Sequence, residues 1–189
     1  MRSLSKNLII FIILIFLIIG GLSFYFLQRS SKTSLELPEQ KIMRLTSPAF
    51  ENNQLIPSKY TCDGEDINPP LRIEGVPEET KSLVLIVDDP DAPLGTWDHW
   101  IVWNIDPSTS LIEENKVPEG AIEGKNDFGK NSYGGPCPPS GTHRYHFKLY
   151  ALDKKLQLDS SSEREAVEKA MEGHILDWAE LIGLYGRNK

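Results

Sequence analysis

The sequence predicts a mainly β domain with a C-terminal helix, preceded by one apolar N-terminal span, and three observations predict it. From residue 41 onward, short apolar runs are separated by clusters of glycine, proline and acidic residues, the punctuation of strands joined by turns. Residues 99–105 and 144–151 alternate their side chains with a period of two, which places His99, Ile101, Trp103 and Ile105 on one face of the first and Tyr145, Phe147, Leu149 and Ala151 on one face of the second. Near the end, Ser160 with Glu163 and Ser162 with Glu165 both fit the box that opens a helix.

Residues 8–27 carry no charge and are flanked by Arg2 and Lys6 on one side and Arg29 and Lys32 on the other. At ~1.5 Å per residue, twenty residues reach ~30 Å, the hydrocarbon thickness of a bilayer. A cleavable signal peptide is the alternative, but the run exceeds the usual apolar region of ~7–15 residues, and no Ala-x-Ala-like site follows. The span therefore predicts a transmembrane signal anchor within 1–30, a polar linker over 31–41 and a domain over 42–189. On this reading the protein is a single-pass protein of the cell membrane with its N-terminus inside and its domain extracytoplasmic.

Of 189 residues, 40% are hydrophobic, which is enough for one real core. Twenty Lys and Arg against 27 acids give −7, and leaving out the four basic residues around the apolar span takes the remainder to −11. That balance argues against nucleic acid as a partner.

Strands are expected at 42–45, 71–73, 82–87, 99–105 and 144–152. The run 82–87, SLVLIV, is continuous and apolar, as in a strand buried on both faces. The glycine- and proline-rich stretch 119–142 is long for a loop in a compact domain, and its prolines, with Phe128 and Tyr133 as anchors, favour order. The C-terminal helix is expected to turn Val167, Ala170, Met171, His174, Trp178 and Leu181 toward the sheet.

Two stretches carry the chemistry. In DDPDAPLGTWDHW, residues 88–100, a buried strand opens into acids held by Pro90 and Pro93 and leads to His99. In GGPCPPSGTHRYHF, residues 134–147, Gly134 and Gly135 can bring bare N–H groups close to a ligand, prolines stiffen the loop, and His143 shares a face with Tyr145. A carboxylate beside an imidazole favours its charged form, whose other nitrogen can donate to a phosphate oxygen. His99 and His143, oriented by Asp89 or Asp91, thus predict an anion pocket. His146 and His174 are expected to be structural.

The blocks around Asp-Pro-Asp-Ala-Pro, Trp-x-His and Gly-x-His-Arg-Tyr, spread over about 45–186, resemble the phosphatidylethanolamine-binding protein family, also called Raf kinase inhibitor-like, in its compact prokaryotic branch. The resemblance implies a large antiparallel sheet packed on a smaller one and a pocket for phosphate-like anions or phospholipid headgroups. Carried over position by position, its ligand-binding residues are Asp89, Asp91, Ala92, Pro93, Trp97, His99, Gly135, Pro136, His143 and Tyr145. It implies a binding protein and regulator that is not an enzyme and needs no cofactor. The alternative is an inhibitor acting through surface loops on a serine protease or kinase partner. Asp98 stands where animal members have a second histidine, which sets their kinase contacts apart from this chain.

Rival chemistries are weaker. Two histidines with carboxylates can make a metal triad, but no HxH, HExxH or CxxC spacing is present. Cys137 or Ser140 against His143 would suit a small hydrolase, although there is no GxSxG elbow. Cys62 and Cys137 suit one disulfide or two buried thiols, and the sequence leaves both open.

Overall fold

The computed structural model describes residues 42–187. In chain order it contains β1 (Arg44–Thr46), β2 (Gln54–Leu55), a 3-10 turn (Ser58–Tyr60), β3 (Leu71–Glu74), β4 (Ser82–Asp89), β5 (Trp97–Ile105), β6 (Leu111–Ile112), β7 (Ile122–Glu123), β8 (Gly141–Leu152), the helix α1 (Arg164–Met171) and β9 (Ile175–Arg187). Six strands form one sheet in the order β2-β9-β8-β4-β5-β7, and β1-β3-β6 form a smaller one. All pairings are antiparallel except β2 with β9.

The apolar run of β4 is buried at every position because both faces of the large sheet are covered there. Leu83, Leu85 and Val87 join Phe147 and Leu149 of β8 and Leu45, Ile73 and Ile112 of the small sheet in an inner core. Val84 and Ile86 face the other way and meet Ile101, Trp103, Val167 and Met171 in an outer core under the helix. Truncating a fully buried leucine such as Leu85 should cost ~2–5 kcal/mol.

The expected common face of His99, Ile101, Trp103 and Ile105 is corrected by two slips in the β4–β5 register. Val87 pairs with Trp100 but Asp88 with Asp98, and Leu85 pairs with Val102 but Leu83 with Ile105. Each slip is a bulge with an extra residue on β5, and each moves the following side chains to the opposite face. Ile101 and Trp103 therefore lie in the outer core, Ile105 lies in the inner one, and His99 packs on inner-core Tyr145. Asn104 absorbs the second bulge at φ 59, and its side chain exchanges two hydrogen bonds with the Leu156 backbone at 2.9 and 2.8 Å.

The C-terminal helix is also corrected: it is shorter than expected and is followed by the longest strand. Glu163, rather than Ser160 or Ser162, holds the cap position. Gly173, at φ 73, ends the helix while the His174 N–H donates to the Met171 carbonyl at 2.9 Å. Residues 175–187 then pair along the length of β8. Within them Ala179 and Leu181 are buried and alternate with more exposed Trp178, Glu180 and Ile182, a period of two that fits a strand. Trp178 and Leu181 belong to that strand, and His174 bonds to Asp153 at 2.8 Å in the turn before it.

The expected membrane architecture is likewise corrected. Among the described residues no helix is long and apolar enough to cross a membrane, and α1 has eight residues. Single-pass placement in the cell membrane has no support in the fold. The 8–27 span itself lies outside the described residues.

On the outer face an ionic cluster joins helix to sheet. Asp88, 0% exposed, meets Lys148 at 2.6 Å and Arg164 at 2.9 Å, and Arg164 also reaches Asp98 at 2.9 Å. Burial outweighs the neighbouring guanidinium at Asp98 and holds its carboxyl up at about 6. Its proton therefore favours the folded state in mild acid, and that contribution is lost as pH rises through about 6. Arg164→Ala leaves Asp88 with Lys148 alone and strands Asp98, and is expected to cost about 3 kcal/mol near neutrality. The cost should shrink near pH 5, where Asp98 is largely protonated. Urea unfolding at the two pH values checks this, and equal losses would show that the carboxylate pair is not the cause.

Candidate functional site

The C-terminal end of β4, the start of β5 and the start of β8 come together at one rim of the large sheet. Period-two alternation sends Asp89 to the face opposite Asp88, where it meets His143, with Oδ2 accepting from the imidazole Nδ1 at 2.7 Å. Both side chains are buried. Asp89 Oδ1 accepts the Asp91 N–H at 2.9 Å, so the tight turn after β4 fixes the carboxylate that orients the histidine. A carboxylate only accepts, which places a proton on His143 Nδ1 and leaves Nε2 without another hydrogen bond among the described residues.

His99 enters from the bulge in β5. Its Nδ1 donates to the Gly134 carbonyl at 2.6 Å, while the Gly134 N–H donates to the His99 carbonyl at 3.0 Å. The ring lies edge-on to Tyr145 and Phe128, with centroids 5.2 and 5.3 Å away. Burial pushes the His99 pKa down, and the backbone carbonyl and nearby acids do not offset it. This corrects the expectation that neighbouring acids make His99 cationic. With Nδ1–H committed, neutral His99 has Nε2 as an acceptor.

These side chains border a cavity of about 200 Å³. Of the expected site residues, Asp89, Ala92, Pro93, Trp97, His99 and His143 line it. Asp91 turns outward to Arg144, whose NH2 and Nε donate at 2.6 and 2.9 Å and hold its carboxyl down at about 2. It fixes the turn and does not face the cavity. Tyr145 is fully buried below His99, its hydroxyl has no partner among the described residues, and burial raises its pKa.

Gly135 and Pro136 do not line the cavity. The Gly135 N–H donates to Asp66 Oδ1 at 2.6 Å, and a Cβ there would meet the Tyr60 carbonyl oxygen at 2.7 Å. That glycine is needed for close approach to residues 60–66, not to a ligand. The Pro136 carbonyl accepts the Cys62 N–H at 3.2 Å.

Sequence reasoning missed four lining residues: Phe128, Cys137, Pro138 and Pro139. Phe128 packs edge-on against Trp97 at 5.5 Å and reaches the site because Asn126 folds its loop. The Asn126 side chain donates to the carbonyls of His99 and Ser132 at 3.0 and 2.8 Å and accepts from the N–H groups of Phe128 and Lys130 at 3.1 and 3.0 Å. No periodicity signals such a loop. Cys62 and Cys137 form a disulfide, with Cα atoms 5.4 Å apart.

A two-sheet β protein with a small pocket built on a carboxylate–imidazole pair is the class that this geometry defines. The sequence pattern described as phosphatidylethanolamine-binding protein matches residues 46–186. The chain is 54% identical to a UPF0098 protein of Pyrococcus horikoshii over 157 residues, 79% of each chain. It is also 54% identical to one of Methanothermobacter thermautotrophicus over 150 residues, covering 77% of this chain and 99% of the relative. A crystal structure of a phosphatidylethanolamine-binding protein homolog from Chlamydia trachomatis superposes with a TM-score of 0.76 at 45% identity, over 78% of this chain and 99% of that one. YbcL of Escherichia coli, described as a member of the mammalian family, superposes with a TM-score of 0.73 at 33% identity, over 77% and 99%. The chain belongs to the phosphatidylethanolamine-binding protein family.

The burial account of His99 has a direct check. Nitrogen NMR of the imidazoles is expected to show His99 as the neutral Nδ1–H tautomer at neutral pH, becoming charged only in more acid solution than the ~6.5 of a free imidazole. Because the folded state resists that proton, His99 withdraws stability as pH falls below the free value. Protonation above the free value would refute the account.

Proposed function

We propose that the chain is a non-catalytic binding protein and regulator whose pocket takes a small phosphate-bearing monoanion, either a free phosphomonoester or a phospholipid headgroup. The observation that carries this reading is the buried Asp89–His143 pair at 2.7 Å, with its second ring nitrogen free beside neutral His99. A phosphomonoester monoanion has one P–OH to donate to His99 Nε2, a diester headgroup has none, and both have oxygens to accept from an Nε2–H of His143. Asp89 balances the imidazolium charge, so the pocket gains its donor without carrying net positive charge when empty. Ala92, Pro93, Trp97 and Phe128 supply an apolar surround in which those few hydrogen bonds count for more than in water.

Binding rather than turnover is supported by the fate of the nearest nucleophile. Cys137 is bonded to Cys62 and offers no thiol, and Ser140 is exposed and shares no hydrogen bond with His143 among the described residues.

Calorimetric titration tests the proposal, with phosphorylethanolamine and inorganic phosphate in one arm and lipid micelles bearing the same headgroup in another. His143→Ala should lower affinity at least about tenfold, because it removes a charge-assisted hydrogen bond to the phosphate. His174→Ala, in the turn before β9, should leave affinity unchanged. Affinity indifferent to the loss of His143 would defeat the reading.

A further inference from the structure

One side of the pocket is a wall of Cys137, Pro138 and Pro139, and its attachment differs from that of the loop before it. Gly134, Gly135 and Pro136 are each tied by backbone hydrogen bonds to His99, Asp66 or Cys62. Pro138 and Pro139 have no N–H and make no hydrogen bond among the described residues. Between Pro136 and the start of β8, the wall is fastened by the Cys62–Cys137 bond. Cys137 is exposed, and the Arg187 guanidinium lies 3.5 Å from its sulfur while also pairing with Asp63 at 2.7 Å.

We propose that the Cys62–Cys137 disulfide is a redox switch for the ligand pocket, closing its proline wall when oxidised and releasing it when reduced. The inference rests on the binding function proposed above and adds its regulation. The co-reactant is a dithiol. Its thiolate attacks the sulfur of Cys137, an exposed residue, to form a mixed disulfide, and Cys62 leaves as a thiolate and takes a proton. The second thiol of the reductant then resolves the mixed disulfide, becoming a disulfide itself and releasing Cys137 as a thiolate beside Arg187. A cation next to that sulfur stabilises the leaving thiolate and favours exchange. The ties of Gly134 to Pro136 survive, so reduction loosens the wall and not the sheet.

A wall in its binding position one-fifth of the time raises the apparent Kd about fivefold. The full chain is titrated with phosphorylethanolamine, first oxidised, then after dithiothreitol, then reoxidised, with Cys62→Ser/Cys137→Ser as a permanently open control. Hydrogen exchange is followed in parallel at Cys137 and Ser140 and along β4 and β8. The expected result is a reversible loss of affinity of about fivefold or more, the same loss in the double variant, and faster exchange confined to the wall. Equal affinity in both redox states overturns the switch while leaving the binding function intact. Absence of binding in the oxidised protein overturns the binding function itself, and the switch with it. Loss of protection along β4 and β8 on reduction also overturns the switch, because the bond would then be a staple of the whole fold.

Discussion

Consecutive residues of a strand point to opposite faces of a sheet, and at Asp88 and Asp89 that rule divides the molecule's two charged centres. Asp88 drops under the helix to Lys148 and Arg164, and Asp89 rises to His143. Each carboxylate is buried, so each needs its own partner, and neither can take the other's place without a one-residue slip of the whole strand. The ionic cluster and the pocket thus hold each other in register: the same backbone step that satisfies one satisfies the other.

The bulge opposite this step has an equivalent role on β5. It sends Asp98 to the helix side and His99 to the pocket side, although both strands keep pairing past it. His99 then becomes a hub for distant segments. Its backbone carbonyl accepts from Gly134 and from Asn126, its ring bonds to Gly134, and that ring packs T-shaped against Phe128 and Tyr145. A histidine so committed loses freedom as an acid or base and gains precision as a fixed acceptor. The donor side of the site is left to His143, whose side chain bonds only to Asp89 among the described residues.

Much of this was legible in the sequence, and the parts that were not share a physical cause. The apolar run of β4 and the alternation in β8 follow from local burial, so strands and their direction could be read directly. The meeting of Asp89 with His143 was legible through the resemblance, since the residues are 54 positions apart and no local pattern links them. The faces of β5 were not legible, because a bulge shifts alternation without changing composition. Residues 164–187 misled for a related reason: their apolar spacing satisfies a helical stripe and a strand stripe at once, and only Gly173 marks where one gives way to the other. Gly135 pointed to close backbone approach, which is correct, but what approaches is the 60–66 segment and not a ligand. The Asn126 loop and the Asp91–Arg144 pair depend on tertiary placement and leave no periodic trace.

The 75-residue separation of the bridged cysteines makes a covalent ring out of the stretch that contains β3 to β7. Leu94, 95% exposed at the tip of the β4–β5 turn, is the most accessible large apolar residue on that ring. A protease that cuts the backbone there opens the ring without dividing the molecule. The two pieces stay joined through sulfur, so oxidised protein would gain only the mass of one water after such a nick, and only a thiol would separate the fragments.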